Sequence, residues 1–264
     1  FEHSSMTSII AIPAFNDNYI WTIRRGGDAA VVDPGDAAPV QEYLARERLA
    51  LTAIITTHHH ADHVGGNKAL LERHAVPVFA PAREQIPGAT TMLTEGDRVD
   101  VPGVEVTLHV LDVPGHTAGH IAYVGDVDGP VLFCGDTLFA AGCGRLFEGT
   151  AADMWSSLGK FARLDPATRV YCAHEYTLAN LRFAAVAELS NGAIAVRIDA
   201  GTRKRTRNMP TLPSTIALEL ATNPFLRAGE PNVRKAAESH AGTALARPVD
   251  VFAALREWKN SFRG

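Results

Sequence analysis

Four short apolar segments of this chain each run into a histidine or an aspartate, and this recurrence limits the folds that the sequence can adopt. The first segment, residues 51–56, is rich in β-branched residues and leads into His58 within the run THHHADHVGG. The other three segments lead in the same way into His116, Asp136 and His174. Because layered α/β proteins bind ligands beyond the ends of their strands, we expect these side chains to converge at one site of an α/β domain.

The residues at these strand ends are of the types that bind divalent metals. The candidate metal ligands are five imidazoles and two carboxylates: His58, His60, Asp62, His63, His116, Asp136 and His174. One tetrahedral zinc ion takes three or four protein ligands, so seven candidates exceed what a single ion needs. Two ions that share a bridging carboxylate would use all seven. Imidazole with carboxylate and no thiolate suits zinc, iron or manganese. The alternative to a metal centre is a histidine-rich surface tract that binds metal only weakly and nonspecifically.

Composition narrows the class of protein. The formal net charge of −4 over 264 residues provides no general basic field for a nucleic-acid partner. No segment approaches the ~18 apolar residues of a membrane span, so we expect no membrane partner. Three widely spaced cysteines argue against a disulfide framework and favour a reducing compartment, so we expect a cytoplasmic protein. We also expect a monomer. The first five residues, FEHSS, precede Met6 and are interpreted as a cloning scar.

Apolar patterning divides the chain into two parts. In the first part, short apolar runs alternate with Gly, Pro and Asp. The same part contains patterns that predict a helix over 38–48, a helix over 64–74 and a capping box at Thr150 and Asp153. After about residue 177 helical patterns dominate, over residues 178–189, 214–221, 232–240 and 250–262. We therefore predict a catalytic α/β domain over residues 6–179 and a helical domain over residues 180–264.

Longer motifs resemble those of a known family. The run THHHADHVGG resembles the HxHxDH motif of the metallo-β-lactamase superfamily, and VDPG, GHTAGH and CGD stand in the order usual for that superfamily. Within it, the chain is similar to the glyoxalase II family of hydroxyacylglutathione hydrolases. The segments that carry this narrower resemblance are FNDNY, AGCGR, AHEYT, PST and NPFLR. The resemblance extends over essentially the whole chain after the first five residues.

The resemblance implies a fold, a metal site and a reaction. The implied fold is an αβ/βα sandwich followed by a smaller, all-helical, substrate-binding domain. The implied ligand sets are His58, His60 and His116 for one metal and Asp62, His63 and His174 for the other, with Asp136 as the bridge. The implied reaction is hydrolysis of S-D-lactoylglutathione and related 2-hydroxyacylglutathiones to D-lactate and glutathione, the second step of methylglyoxal detoxification. Asp62 and Asp136 are the predicted catalytic residues, because they would help to hold the two ions that bind the attacking hydroxide.

Contacts to the glutathione part of the substrate also follow from the resemblance. The candidate substrate-binding residues are Arg145, Leu146, Phe147, His174, Glu175, Tyr176, Arg256 and Lys259. Arg256 and Lys259 lie three residues apart beside the apolar stripe of the last predicted helix, where the alternative is an ordinary solvated flank. Arg145 stands where the family often has lysine, and Phe147 stands where some members have tyrosine. Tyr176 would fit a core aromatic equally well.

Four other classes of protein compete with this interpretation. A β-lactamase of the same superfamily would leave the helical tail unexplained. A glutathione persulfide dioxygenase with one iron would need neither that tail nor the second set of ligands. A non-enzymatic metal-binding protein would tolerate loss of Asp136, yet Asp136 is present. A nuclease is disfavoured because the chain lacks a basic groove signature.

Overall fold

The computed structural model describes residues 6–264, so the proposed cloning scar lies outside the described residues. The chain forms two compact units. The first consists of the described residues up to Val113 together with Thr117–Gly135, and the second consists of Pro114–His116 and Asp136–Gly264. The domain boundary at residue 179 stays a prediction. None of the helices within the described residues is long and apolar enough to cross a membrane.

The first unit contains a six-stranded mixed sheet and an antiparallel array. The strands of the mixed sheet, in sequence and spatial order, are β1 (Ser8–Ala14), β2 (Asn18–Arg25), β3 (Asp28–Val32), β4 (Ala50–Ile55), β5 (Val78–Pro81) and β6 (Thr91–Leu93). The first three strands pair antiparallel and the rest pair parallel. The antiparallel array contains β7 (Arg98–Val101), β8 (Val106–Asp112), β9 (Ile121–Asp126) and β10 (Pro130–Gly135).

Three helices accompany these strands: α1 (Ala37–Glu47), α2 (Ala61–Val64) and α3 (Asn67–Leu71). Helix α1 is the predicted helix over 38–48, and Asp36 caps it by accepting a 3.0 Å hydrogen bond from the Ala38 amide. Val40, Leu44 and Leu70 from α1 and α3 belong to one buried cluster with residues of the mixed sheet. This cluster is a core that fixes the helices against the sheet from which the first candidate ligands extend.

The prediction of a single helix over 64–74 is wrong, because the helix is interrupted between α2 and α3 at Gly65 and Gly66. A Cβ atom on Gly66 would lie 2.5 Å from the Pro34 carbonyl oxygen, and one on Gly65 would lie 2.7 Å from that of Gly35. The Gly66 amide donates to the Pro34 carbonyl at 2.9 Å. The two glycines thus let the turn after β3 approach the histidine-bearing helix closely.

The second unit is mainly helical. Its elements are the hairpin β11 (Leu138–Phe139) and β12 (Gly142–Cys143), helix α4 (Ala151–Phe161), strand β13 (Arg169–Cys172), helices α5 (Thr177–Ala187) and α6 (Gly192–Arg205), strand β14 (Ser214–Thr215), and helices α7 (Ile216–Thr222), α8 (Pro231–Ala241) and α9 (Pro248–Ser261). Strands β13 and β14 pair antiparallel. The predicted capping box at Thr150 and Asp153 is confirmed at the start of α4.

Helix α6 is absent from the predicted elements, and its buried face explains why. The residues that it buries are Ile194, Arg197 and Gly201, so two of the three inward positions are not apolar. The apolar periodicity that marks an amphipathic helix is therefore missing. The polar inward residue, Arg197, is held by hydrogen bonds to Thr222, Ser214 and Glu219, which no local pattern predicts.

Candidate metal centre

Strand β4 delivers the first group of predicted ligands. It ends at Ile55, and His58 follows three residues later, while Asp62 and His63 lie in the single turn of α2. The Nε2 atom of His58 lies 3.2 Å from Nδ1 of His60. The Nε2 atom of His63 lies 3.4 Å from Oδ2 of Asp62. The first unit therefore presents its four candidate ligands as two facing pairs of donor atoms.

A buried carboxylate, Asp33, fixes the orientation of two of these imidazoles. Its side chain accepts hydrogen bonds from the Thr57 amide at 2.7 Å and the Thr57 hydroxyl at 2.6 Å, and it lies 3.1 Å from Nδ1 of His63. Because the Thr57 hydroxyl donates to Asp33, its oxygen accepts from Nδ1 of His58, 3.0 Å away. Both rings then carry the proton on Nδ1 and keep the lone pair on Nε2, which is the form that binds a metal.

Sequence reasoning missed this role of Asp33, which entered only as part of the VDPG motif. One signal was available: Asp33 directly follows β3, just as the candidate ligands follow their own strands. What no local pattern reveals is that its carboxylate serves Thr57 and His63, which are 24 and 30 residues away. Asn18 has a similar role for Asp62, because its amide donates to Oδ2 of that carboxylate at 3.0 Å.

The second unit contributes the remaining three predicted ligands. Oδ2 of Asp136 lies 3.4 Å from Nε2 of His116, and Oδ1 lies 3.4 Å from Nε2 of His174. One oxygen faces each imidazole, which is the arrangement expected of a carboxylate that bridges two ions. Nδ1 of His116 donates to the Arg145 carbonyl at 2.9 Å, so its lone pair too resides on Nε2.

Aromatic side chains surround these ligands in the second unit. Phe147 is 62% exposed, and its ring meets the His116 ring edge-on at 5.3 Å. Tyr176 stacks on His174 with ring centres 4.7 Å apart. The Phe139 ring contacts the His174 and Tyr176 rings edge-on. An apolar wall next to the imidazoles suits a site that keeps water away from a bound acyl group.

Glu175 and Leu146 are two further residues predicted to bind substrate. The Glu175 carboxylate accepts hydrogen bonds from the Thr211 amide at 2.8 Å and from the Thr211 hydroxyl, so it joins the chain after β13 to the segment before β14. Leu146 is half-buried between exposed Arg145 and Phe147. A contact of any of these side chains with substrate stays a prediction.

The two cations of the last helix differ in their surroundings. The solvated-flank alternative is wrong for Arg256, which is 5% exposed and donates to the Cys143 carbonyl at 2.8 Å. The apolar stripe predicted for this helix consists of Val251, Leu255, Trp258 and Phe262; the first two are buried, and the last two are only half-buried. Arg256 occupies a buried position of α9 because its guanidinium group finds that carbonyl and the face of a phenylalanine ring, 5.1 Å away.

Lys259 is half-buried among other cations. Its ammonium group donates to the Ala179 carbonyl at 3.4 Å. Burial, and then the positive charges of Arg256, Arg182 and Arg145, lower the pKa of Lys259 to about 8. A cluster of positive charges is costly unless an anion joins it, so this surface suits a ligand with carboxylate groups.

Comparisons with known proteins define the family. Residues 15–174 match the model of the metallo-beta-lactamase superfamily, and residues 175–262 match that of the hydroxyacylglutathione hydrolase C-terminus. A hydroxyacylglutathione hydrolase of Cupriavidus taiwanensis is 56% identical over 98% of this chain and all of its own length. One of Alkalilimnicola ehrlichii is 58% identical over 97% of this chain and 99% of its own. The chain belongs to the hydroxyacylglutathione hydrolase family.

Solved structures agree with the fold of this family. ETHE1 from Myxococcus xanthus superimposes with a TM-score of 0.63 at 24% identity, covering 96% of this chain and 98% of its own. TTHA1623, solved in a di-iron-bound form, superimposes with a TM-score of 0.58 at 26% identity, covering 83% of this chain and all of its own. The predicted fold class, a metallo-β-lactamase sandwich followed by a helical C-terminal region, is confirmed.

The donor set fits the divalent metal ions that the family implies. Three buried imidazoles, of His58, His63 and His116, have Nδ1 directed at an oxygen within the same unit, so that Nε2 is the ligand atom. The carboxylates of Asp62 and Asp136 stand beside such nitrogens. Imidazole nitrogen and carboxylate oxygen without thiolate is a donor set for zinc, iron or manganese.

The role of Asp33 can be tested by Asp33→Asn. This change removes the charge that holds the Thr57 hydroxyl and His63, so we expect metal affinity to fall 10–100-fold. The measurement is competition with a chromophoric chelator for zinc added to the metal-free protein. Asp100→Asn, in an exposed carboxylate of β7, is the control. Equal zinc affinity in the two folded variants would contradict this role.

The lowered pKa of Lys259 gives a second test. As pH rises from 7 to 9 through about 8, Lys259 loses its proton and its attraction for carboxylates. We expect binding of S-methylglutathione, followed by calorimetry, to weaken roughly tenfold over this range. Lys259→Arg keeps its charge and therefore corrects for titration of the ligand itself. A parallel pH dependence in both proteins would show that Lys259 does not bind the ligand.

Proposed function

We propose that this chain hydrolyses S-D-lactoylglutathione and related 2-hydroxyacylglutathiones to D-lactate and glutathione. The observation that carries the proposal is the match to hydroxyacylglutathione hydrolases at 56% and 58% identity over nearly the whole chain. That match includes the helical region as well as the ligand motifs. Hydrolysis of a thioester also agrees with the chemistry of the side chains around the candidate ligands.

We further propose that the ligands of the two units form one binuclear centre with zinc, for which iron and manganese are the alternatives that the donor set allows. The proposed sets are His58, His60 and His116 for one ion, Asp62, His63 and His174 for the other, and Asp136 as the bridge. Support comes from the two facing pairs of donor atoms in the first unit and from the placement of one Asp136 oxygen beside each imidazole in the second.

Two bound divalent ions would supply the positive charge that ionises water near neutral pH and stabilises the oxyanion of the tetrahedral intermediate. The residues of the chain set the net charge of the site and the protonation of its imidazoles. Asp62 and Asp136 bring two negative charges, which reduce the net charge of the loaded site to +2. Asp33 holds protons on the remote nitrogens of His58 and His63, so that neither ring competes for the proton of the attacking water. The glutathione thiolate, with a free pKa of about 8.5, leaves without a general acid.

Positive and aromatic side chains account for recognition of the substrate. Glutathione carries two carboxylates, and Arg145 and Lys259 offer charges to bind them. Phe147 and Tyr176, beside His116 and His174, would hold the acyl group and the sulfur against the metal ligands. Arg256 contributes charge from a buried position and holds the Cys143 carbonyl.

We also propose the compartment and the oligomeric state of the enzyme. All three cysteines are buried, and their wide spacing in the sequence argues against a disulfide framework, which supports a reducing compartment. We propose a cytoplasmic monomer that binds a small glutathione thioester and neither nucleic acid nor a membrane. The net charge of −4 supports the absence of a nucleic-acid partner.

The test is hydrolysis of S-D-lactoylglutathione followed by absorbance, with metal content measured on the same sample. We expect rapid turnover with close to two metals per chain. Asp136→Asn should abolish turnover and lower the metal content, because the bridging charge is lost, while Asp199→Asn on the exposed face of α6 serves as a control. A full metal complement without turnover would favour a dioxygenase or a lactamase, to be separated by oxygen uptake on glutathione persulfide and by a chromogenic lactam.

A further inference from the structure

A small hairpin in the second unit separates two residues that matter to the proposed metal centre. Strands β11 and β12, residues 138–143, begin two residues after Asp136 and end two residues before Arg145. Asp136 faces two imidazoles, and the Arg145 carbonyl fixes the proton of His116. Since so few residues intervene, displacement of the hairpin would move both the carboxylate and the carbonyl.

The hairpin is narrow, and its own strands provide little to hold it. It has two Cα pairs, Leu138 with Cys143 and Phe139 with Gly142. Its turn contains Ala141 with φ of 57°, a left-handed conformation that alanine rarely adopts. A hairpin of this size is unstable alone, so it depends on contacts from elsewhere in the fold.

Glu219 in α7 and Asn223, the C-cap residue of that helix, bind the hairpin. Oε2 of Glu219 accepts a hydrogen bond from the Ala141 amide at 2.8 Å. The Asn223 amide donates to the Phe139 carbonyl at 3.2 Å and to the Gly142 carbonyl at 2.9 Å. Glu219 and Asn223 are both fully buried, and they also bond to each other at 3.0 Å.

Two further helices bind the same hairpin. The Asn180 amide on α5 donates to the Ala140 carbonyl at 3.1 Å, and Arg256 on α9 donates to the Cys143 carbonyl. A Cβ atom on Gly142 would lie 2.5 Å from the Asn180 side chain, so the hairpin and α5 are in close contact. We call these four residues, Asn180, Glu219, Asn223 and Arg256, the hairpin clamp.

Glu219 is the best-fixed member of the hairpin clamp. Its other oxygen, Oε1, pairs with the Arg197 guanidinium group and accepts from the Ser214 hydroxyl. Arg197, 7% exposed, also donates to the Thr222 hydroxyl at 2.6 Å. A buried charge pair of this kind adds little net stability but holds its partners in one geometry. Its Oε2 atom is left to accept the hydrogen bond from the hairpin turn.

We propose that Glu219 and Asn223 are positioning residues for the metal centre: through the hairpin they set the places of the Asp136 carboxylate and the Arg145 carbonyl. The helical region would then determine metal affinity, in addition to the substrate binding that the sequence predicts for it. The inference rests on the proposed metal centre, and it concerns residues that neither bind a metal nor reach the substrate.

The test compares Asn223→Ala and Glu219→Gln with Glu188→Gln. Glu188 is 5% exposed, and its carboxylate binds Arg227 and Asn191 in the same unit, so its variant is the control for loss of a buried charge away from the hairpin turn. We expect zinc affinity, from chelator competition on metal-free protein, to fall about tenfold in the first two variants and to stay unchanged in the third. In the first two variants, turnover at saturating zinc should exceed turnover at two equivalents, the amount that would fill the centre of the unaltered protein.

Each outcome decides one of the two claims. Weak zinc binding by the unaltered protein would refute the proposed metal centre itself. Tight binding by the unaltered protein, with equal affinity in all three folded variants, would refute the positioning role alone. Asn223→Ala leaves the Arg197–Glu219 pair intact, so it provides the result if Glu219→Gln does not fold.

Discussion

An imidazole that binds a metal must keep its proton on the other nitrogen, and much of this structure serves that requirement. Asp33 imposes it on His63 directly and on His58 through the Thr57 hydroxyl. The Arg145 carbonyl imposes it on His116. Because Asp33 and Thr57 are buried and the third acceptor is a backbone carbonyl, the ligand nitrogens are oriented before any ion arrives, and little reorganisation is needed on binding.

The close approach of backbone segments makes these contacts possible. The turn after β3 has to bring Asp33 to Thr57 and also pass beside α2, where a Cβ atom on Gly35 would lie 1.8 Å from the Asp62 carbonyl oxygen. Glycine is therefore required at Gly35, as it is at Gly66, for steric reasons rather than for flexibility. The VDPG and HVGG motifs are the two sides of one contact.

The sequence alone suggests the candidate ligands but not the residues that support them. His58, His116 and His174 could be found because each follows a recognisable apolar strand. The role of Asp33 could not be found in this way, because its partners are 24 and 30 residues away, although Asp33 also directly follows a strand. Helix α6 escaped prediction because Arg197 and Gly201 occupy its inward face. In both cases the decisive interactions are long-range and polar, and local periodicity does not record them.

The central claim is a binuclear centre with nitrogen and oxygen ligands, and X-ray absorption spectroscopy of the zinc-loaded protein tests it most directly. The account predicts a zinc–zinc vector of roughly 3.5–4 Å and a ligand shell of imidazole and carboxylate. A spectrum with sulfur ligands, or one from protein holding two zinc ions without any metal–metal vector, would contradict it.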